Sequence, residues 1–353
     1  MAKQHRPAAP TVPLPVWQEL LDAARAFRAA KPWEWMDDMD IFAFIDEEGR
    51  PWFPSVLGAA GQVFGLAVYR GEAGLRFLFE TVLTCHEDVL PPDSLFMQDA
   101  LLLDWGAKKA LAPEDLAVLA ALGHQAKPRE RNAWPCFRNH SPGWYPWFLT
   151  GEDARFLARC IRALLACAEL ARQDPDFFAP CDEDDRVLPT VSIARTRAGP
   201  PPLESIEWRV WELAPPAAPP SPSVPAAWSA LRARPQHPGA GLEFDIFHLP
   251  SPVADGGRPY YPRAALVADA GTGYIHALEM AGPGRTWADL VTAAWSKALT
   301  GAQARPVHIS IRREEWLEPL QPLAAALGVR LVLAHELPFI AEARVSLAAF
   351  SRR

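Results

Sequence analysis

Apolar positions recur at helical spacing between Pro15 and Lys31. Val16, Leu20, Ala23, Ala24 and Phe27 fall on one face there and predict a helix. Three short apolar runs follow: FAFID (42–46), PWFPSVLG (51–58) and VFGLAVY (63–69). Glu47-Glu48-Gly49-Arg50 and Gly58-Ala59-Ala60-Gly61 separate them, so the runs read as strands joined by turns. A helix is predicted over about 72–83. The clearest amphipathic pattern in this half lies at 150–172, where Phe156, Leu157, Cys160, Ile161, Leu164 and Ala168 form a stripe. Thr150, with Asp153 three residues on, is close to a capping box at its start. VLPTVSIAR (187–195) and SIEWRVWEL (205–213) predict two more strands.

The pattern stops at APPAAPPSPSVPAAWSALRARPQHPGAG (214–241). Proline there removes backbone donors and stiffens the chain. Beyond it, LEFDIFHL (242–249) predicts a strand. RAALVAD (263–269) and YIHALEM (274–280) predict a hairpin turning at Ala270-Gly271-Thr272-Gly273. A helix at 286–300 opens with Thr286 and Asp289 in capping-box positions. PVHISI (306–311) and RLVLAHE (330–336) predict strands. A helix over 314–327 is interrupted or delayed by Pro319 and Pro322 and stops at Gly328, and a last one enters through Pro338. Hairpin, helix, strand, helix, strand, helix is the order of a mixed sheet with helical crossovers. The expected organisation is a loose tail (1–15), a Trp-rich α+β domain with antiparallel strands and helices (16–213), a Pro-rich linker (214–241) and an α/β domain with a mixed sheet (242–353). There are no internal repeats.

Composition sharpens this reading. The chain has 353 residues, half of them hydrophobic, enough for about two buried cores. Proline is high at 37 residues and tryptophan at 14. The net charge is −7, and residues 242–353 hold 11 basic and 11 acidic residues, so the negative excess lies before them. That balance disfavours a nucleic-acid partner, which normally meets a basic excess. The 29 arginines against 6 lysines suggest a GC-rich bacterial gene. Residues 1–15 hold no apolar run of export-signal length, and nowhere does an apolar stretch reach ~18 residues, so no membrane association is expected. Five cysteines, an odd number without a CxxC, fit reduced thiols and a cytoplasmic location. Cys160 and Cys167 are about 10 Å apart along one helix axis, too far to pair.

Two segments carry a resemblance. WPCFRNHSPGWYPWFL (134–149) runs into the capped helix, and ALVADAGTGYIHAL (265–278), RPVHISIR (305–312) and LGVRLVLAHELP (327–338) follow later. Together they resemble an uncharacterised bacterial two-domain family, a Trp-rich N-terminal part joined to an α/β domain, both of unknown function. The resemblance implies the architecture and no activity, cofactor or partner. The element order of the C-terminal part also resembles the ribonuclease H-like fold, including integrase cores. That resemblance would put Asp269 where a first catalytic carboxylate belongs. The next crossover strand, however, ends in Arg312-Arg313 where a second carboxylate should stand, and the third strand of the hairpin is missing unless 242–249 supplies it. Two-metal chemistry needs several carboxylates, so such a fold reads as non-catalytic here.

The residues themselves suggest three sites. Asp269-Ala270-Gly271-Thr272-Gly273 is similar to the phosphate-binding hairpin of actin-like ATPases and sugar kinases, though an ordinary tight hairpin explains it as well. If strands 264–269, 306–311 and 330–335 run parallel, their carboxyl ends gather Asp269, Arg312, Arg313, His335 and Glu336. Carboxylate and imidazole could then hold a metal and the arginines an anion; a solvated, mutually neutralised edge is the plain alternative. Third, the stretch from His124 to Trp147 is basic within an acidic half. Lys127, Arg129, Arg131 and Arg138 sit there among Trp134, Phe137, Trp144, Tyr145 and Trp147, spaced by prolines. Arg131, Trp134, Arg138, Trp144 and Trp147 form a candidate partner-binding loop; a Pro-locked loop burying its own indoles is the plain alternative. The acidic clusters at 37–40 and at Asp182-Glu183-Asp184-Asp185 lack the spacing of a calcium loop. GxSxG, HExxH and GxxxxGK[ST] are absent. No cofactor is predicted. The expected protein is a non-catalytic binder of a protein or small anionic ligand. Its rival is a metal- or phosphate-dependent hydrolase using Asp269 with His335 and Glu336.

Overall fold

The computed structural model describes residues 10–85, 93–127, 130–174, 176–183, 186–193, 206–213, 219, 221–237, 239–301 and 304–350. Features expected at 1–9, Arg129, Asp184-Asp185, 194–195, 205, 214–218 and 220 lie outside these residues. Two compact units form. One holds Pro7–Pro142 and Pro146–Ala214, the other Pro215–Arg353 with Gly143–Tyr145.

In the first unit, α1 (Leu14–Ala30) buries Val16, Leu20, Ala23, Ala24 and Phe27, as its spacing dictates. Val12, within the stretch expected to be a loose tail, packs against this core. Next come β1 (Ala43–Ile45), β2 (Pro51–Leu57), β3 (Gly65–Arg70) and α2 (Gly71–Cys85). β4 (Ala100–Gly106), α3 (Pro113–Ala121) and β5 (Trp134–His140) follow, three elements that the hydrophobic pattern did not predict. α4 (Gly151–Gln173) opens with the expected reciprocal capping box between Thr150 and Asp153. α5 (Ala179–Glu183), β6 (Val187–Ser192) and β7 (Glu207–Val210) complete the unit.

The seven strands order as β5-β4-β3-β2-β1-β6-β7. Neighbours are antiparallel except β1 and β6, which run parallel and make this sheet mixed. Both faces are covered, so the strands read as nearly continuous apolar runs. Phe44, Trp52, Leu66, Val68 and Leu101 pack with α1 and α4. Their neighbours Ala43, Phe53, Ala67, Tyr69 and Ala100 pack with α2.

Within the stretch His124 to Trp147, expected to be a loop, Trp134–His140 form β5. It lies at the sheet edge, where Pro135 faces Trp105 without disrupting an inner ladder. Pro135 and Arg138 hid its period-two alternation from the sequence pattern.

The second unit begins inside the stretch expected to be a spacer. α6 (Trp228–Arg232) buries Trp228 and Leu231 in the second core. Trp228 lies parallel to Trp295, centroids 6.4 Å apart, and donates its indole N–H to Ser296 Oγ at 3.0 Å. Composition marked these residues as linker, but an i, i+3 apolar pair was enough to anchor them.

β8 (Gly241–His248), β9 (Arg263–Asp269), β10 (Ile275–Ala281), α7 (Trp287–Gly301), β11 (His308–Ile311), α8 (Leu317–Leu327), β12 (Arg330–Leu333) and α9 (Pro338–Phe350) follow. The sheet order is β10-β9-β8-β11-β12. β8 supplies the third antiparallel strand beside the hairpin, and β11 and β12 run parallel to it. Both units thus combine helices with a mixed sheet, an α+β architecture. α6, α7 and α8 cover one face and α9 the other.

Candidate functional site

The strand directions undo the expected five-residue edge. β9 runs antiparallel to β8, so Asp269 pairs with Leu242 at the end of the sheet where β11 starts with His308. Arg312, Arg313, His335 and Glu336 follow the carboxyl ends of β11 and β12, at the opposite end. Asp269 therefore does not meet His335 or Glu336, and the hydrolase reading loses its assembled site. His335, Glu336 and Arg312 are exposed. The Asp269 carboxylate instead closes its own hairpin. Its Oδ1 accepts the N–H groups of Gly271 (3.0 Å) and Thr272 (2.8 Å) and the Thr272 hydroxyl (2.9 Å). Burial pushes this carboxyl up, but the Thr272 hydroxyl and the two N–H groups outweigh it and leave it below its usual range.

Two carboxylates that the sequence reading passed over lie on β8. Glu243 and Asp245 are buried on the face that α9 covers. Asp245 sits between Arg313 (3.6 Å) and Arg344 (3.3 Å). Glu243 Oε2 accepts the Ile340 N–H in the first turn of α9 at 2.9 Å, and burial raises its pKa. Charged residues at alternate places in LEFDIFHL were the available signal. Among the described residues, no three His, Cys, Asp or Glu side chains are grouped to hold a metal ion.

The aromatic–basic segment is divided rather than gathered. Arg138 is bidentate to Asp115 at 2.9 and 2.6 Å, both side chains largely buried. Trp134 packs edge-on to His124, with Lys108 Nζ 5.0 Å from its ring. Trp147 is buried, and its backbone pairs with Asn139. Arg131 is exposed, and its carbonyl accepts from Arg28. Trp144 belongs with the second unit, edge-on to Tyr260.

The first unit holds a different feature, a cleft of about 1020 Å³ between the β1–β2 turn, the start of α4 and α1. Its base is organised by Asp46, whose side chain is 1% exposed. Asp46 accepts the Trp52 indole N–H (3.0 Å), Arg50 Nε (2.8 Å) and the N–H groups of Glu48 and Arg50. Burial works against ionisation there, but the Trp52 and Arg50 donors outweigh it and hold the carboxyl below its usual range. The bond fixes the Trp52 ring, whose centroid is 4.2 Å from that of Phe156. The Arg70 guanidinium lies 5.4 Å from the Trp52 centroid. It also pairs with Asp99 and bonds the His140 carbonyl.

Along α4, Arg159 pairs with Glu47 and Arg162 with Glu19, each at 2.6 Å. The buried Nε of Arg159 has no hydrogen-bond partner among the described residues. Among the described residues, Arg155 reaches only the Gly151 carbonyl, at 3.4 Å. Among the described residues, five arginines and six carboxylates line the cleft. Only its α4 wall is marked in the sequence, where Arg155, Arg159 and Arg162 recur at i, i+4 and i+7 beside the apolar stripe.

A domain of unknown function, DUF7309, matches residues 17–188, and a second, DUF6930, matches residues 227–348. Two domains of unknown function thus cover most of the chain, consistent with an uncharacterised two-domain family. No curated protein matches it. The cleft lies wholly within the DUF7309 region, and Glu243, Asp245 and Asp269 lie within DUF6930. The DUF6930 match opens one residue before α6, in keeping with the place of Trp228 in that core. Neither match supports the ribonuclease H-like resemblance. No helix among the described residues of this DUF7309–DUF6930 chain is long and apolar enough to cross a membrane.

Proposed function

We propose that this is a binding protein rather than an enzyme, with its ligand seated in the DUF7309 cleft. The observation that supports this is the cleft itself, about 1020 Å³ with an aromatic base and a charged rim. Its volume is at the upper end of the ~300–1,000 Å³ usual for ligand sites. Among the described residues, no histidine, cysteine, serine, lysine or tyrosine lines it. Asp46, held ionised by its donors, is the reverse of a poised general acid. The Trp52–Phe156 pair and the arginines are the residue types that dominate binding energy at recognition sites.

The test compares the full chain with its Arg155→Glu variant, each purified from the native host under mild conditions. Mass spectrometry identifies what each releases, and hydrogen exchange on the reloaded complex locates it. Expected is a companion molecule depleted in the variant, with protection over 45–53 and 151–162. Protection confined to the C-terminal sheet would refute the cleft assignment.

A further inference from the structure

We infer that the cleft recognises amino-acid chemistry, a ligand that presents a carboxylate and a cationic group beside an apolar or aromatic one. The inference rests on the reading of the cleft as the binding site and narrows the ligand class. Six carboxylates against five guanidiniums give the lining a formal charge of −1 (5 − 6). A polyanion gains nothing from such a wall, because Arg70, Arg159 and Arg162 already face Asp99, Glu47 and Glu19. A simple cation meets the same guanidiniums. A ligand with both signs can satisfy the wall without leaving either sign unmatched.

Two groups at the mouth are available to it. Arg155 has no carboxylate within ion-pair distance among the described residues, and neither has Glu152 a cation. Glu152 acts on Arg50 only at longer range. The two lie three positions apart on the first turns of α4, on neighbouring helix surface. Between them and the β1–β2 turn, Trp52 and Phe156 supply the apolar base, with Arg70 beside the Trp52 ring. Free amino acids and peptide segments share this chemistry.

The experiment probes an array of random octapeptides with the full chain and titrates free phenylalanine and inorganic phosphate in parallel. Bound octapeptides should carry an acid and a base flanking an aromatic or aliphatic residue. Arg155→Glu should weaken them by about tenfold or more, the effect of losing a charge-assisted hydrogen bond. The charge-swapped Arg155→Glu/Glu152→Arg double variant should regain part of that loss. Arg155 is exposed, so an unchanged thermal midpoint serves as the folding control. Saturable phenylalanine binding with the same Arg155 dependence, and no peptide binding, assigns a free amino acid as the source and keeps the inference. Selection of one charge sign only, competition by phosphate, indifference to Arg155→Glu, or no binding of any probe overturns it. If the probes fail while hydrogen exchange still places the native companion in the cleft, the ligand class falls and the site stands.

Discussion

Trp228 gives the sharpest test of where the second unit begins. The indole is 2% exposed, lies parallel to Trp295 and donates to Ser296. A large aromatic buries about 150–250 Å². At ~25 cal/mol per Å² that is about 4–6 kcal/mol, an upper bound set by the extended-chain reference. Measured Trp→Ala changes in cores run about 3–5 kcal/mol, so Trp228→Ala should cost about 4 kcal/mol. For a domain stable by roughly 5–15 kcal/mol, that is a large share. The assay is a urea titration read by pulsed hydrogen exchange, following peptides from β8 and α7 so that the second unit is observed by itself. Their midpoint should fall well below that of the parent, while peptides from β2 and β3 hold theirs. A loss under about 1 kcal/mol, within the range of an ordinary surface substitution, would mean that 228–232 only rests on the core and the expected spacer extends to 241 after all.

Other outcomes follow from the same contacts. Breaking the Arg138–Asp115 pair with Arg138→Met should cost about 2–4 kcal/mol, and Arg138→Met/Asp115→Leu should cost less than the two single changes added, measured as a double-mutant cycle. Thr150→Ala should lower the urea midpoint of the first unit by the equivalent of about 1 kcal/mol, the worth of an N-cap. Burial raises Glu243 above 4.5, so the folded state holds its proton more tightly than the unfolded chain does. Its contribution is full below that value and declines as pH rises through and above it; Glu243→Gln should flatten the decline in urea midpoints taken from about pH 4 to pH 7, and equal slopes would refute the assignment. Burial lifts the Cys136 thiol to about 11 and Cys167 to about 12, and pushes Cys160 up as well. Iodoacetamide at about pH 8 should leave all three unmodified in the native protein and label them in urea.

The amphipathic helices and the β1–β3 meander were legible because local spacing alone dictates which side chains meet the core. Phe156 to Ala168 on α4 needed no tertiary knowledge. β4 and β5 were not legible, for two different reasons. ALLLDWG alternates weakly because both sheet faces are covered, and WPCFRNH hides its alternation behind Pro135, Cys136 and Arg138. The misplaced edge site had a topological cause. Nothing in RAALVAD says which way the strand runs relative to PVHISI, and reversing it moves Asp269 from one end of the sheet to the other. The cleft stayed hidden because Glu19, Asp46, Arg70 and Arg155 are far apart in sequence and meet only when α1, the β1–β2 turn and α4 assemble.

The parallel pairing of β1 with β6 has a practical consequence for anyone cutting this protein into pieces. Ala43 lies opposite Thr190 and Ile45 opposite Ser192, so the middle of the seven-stranded sheet closes only when chain nearly 150 residues downstream arrives. A fragment ended at 188, where the family match stops, severs β6 after its second residue and removes β7 altogether. β1 would then present a naked hydrogen-bonding edge, the kind of surface that recruits other chains into aggregates. Fragments meant for binding work should run through position 213.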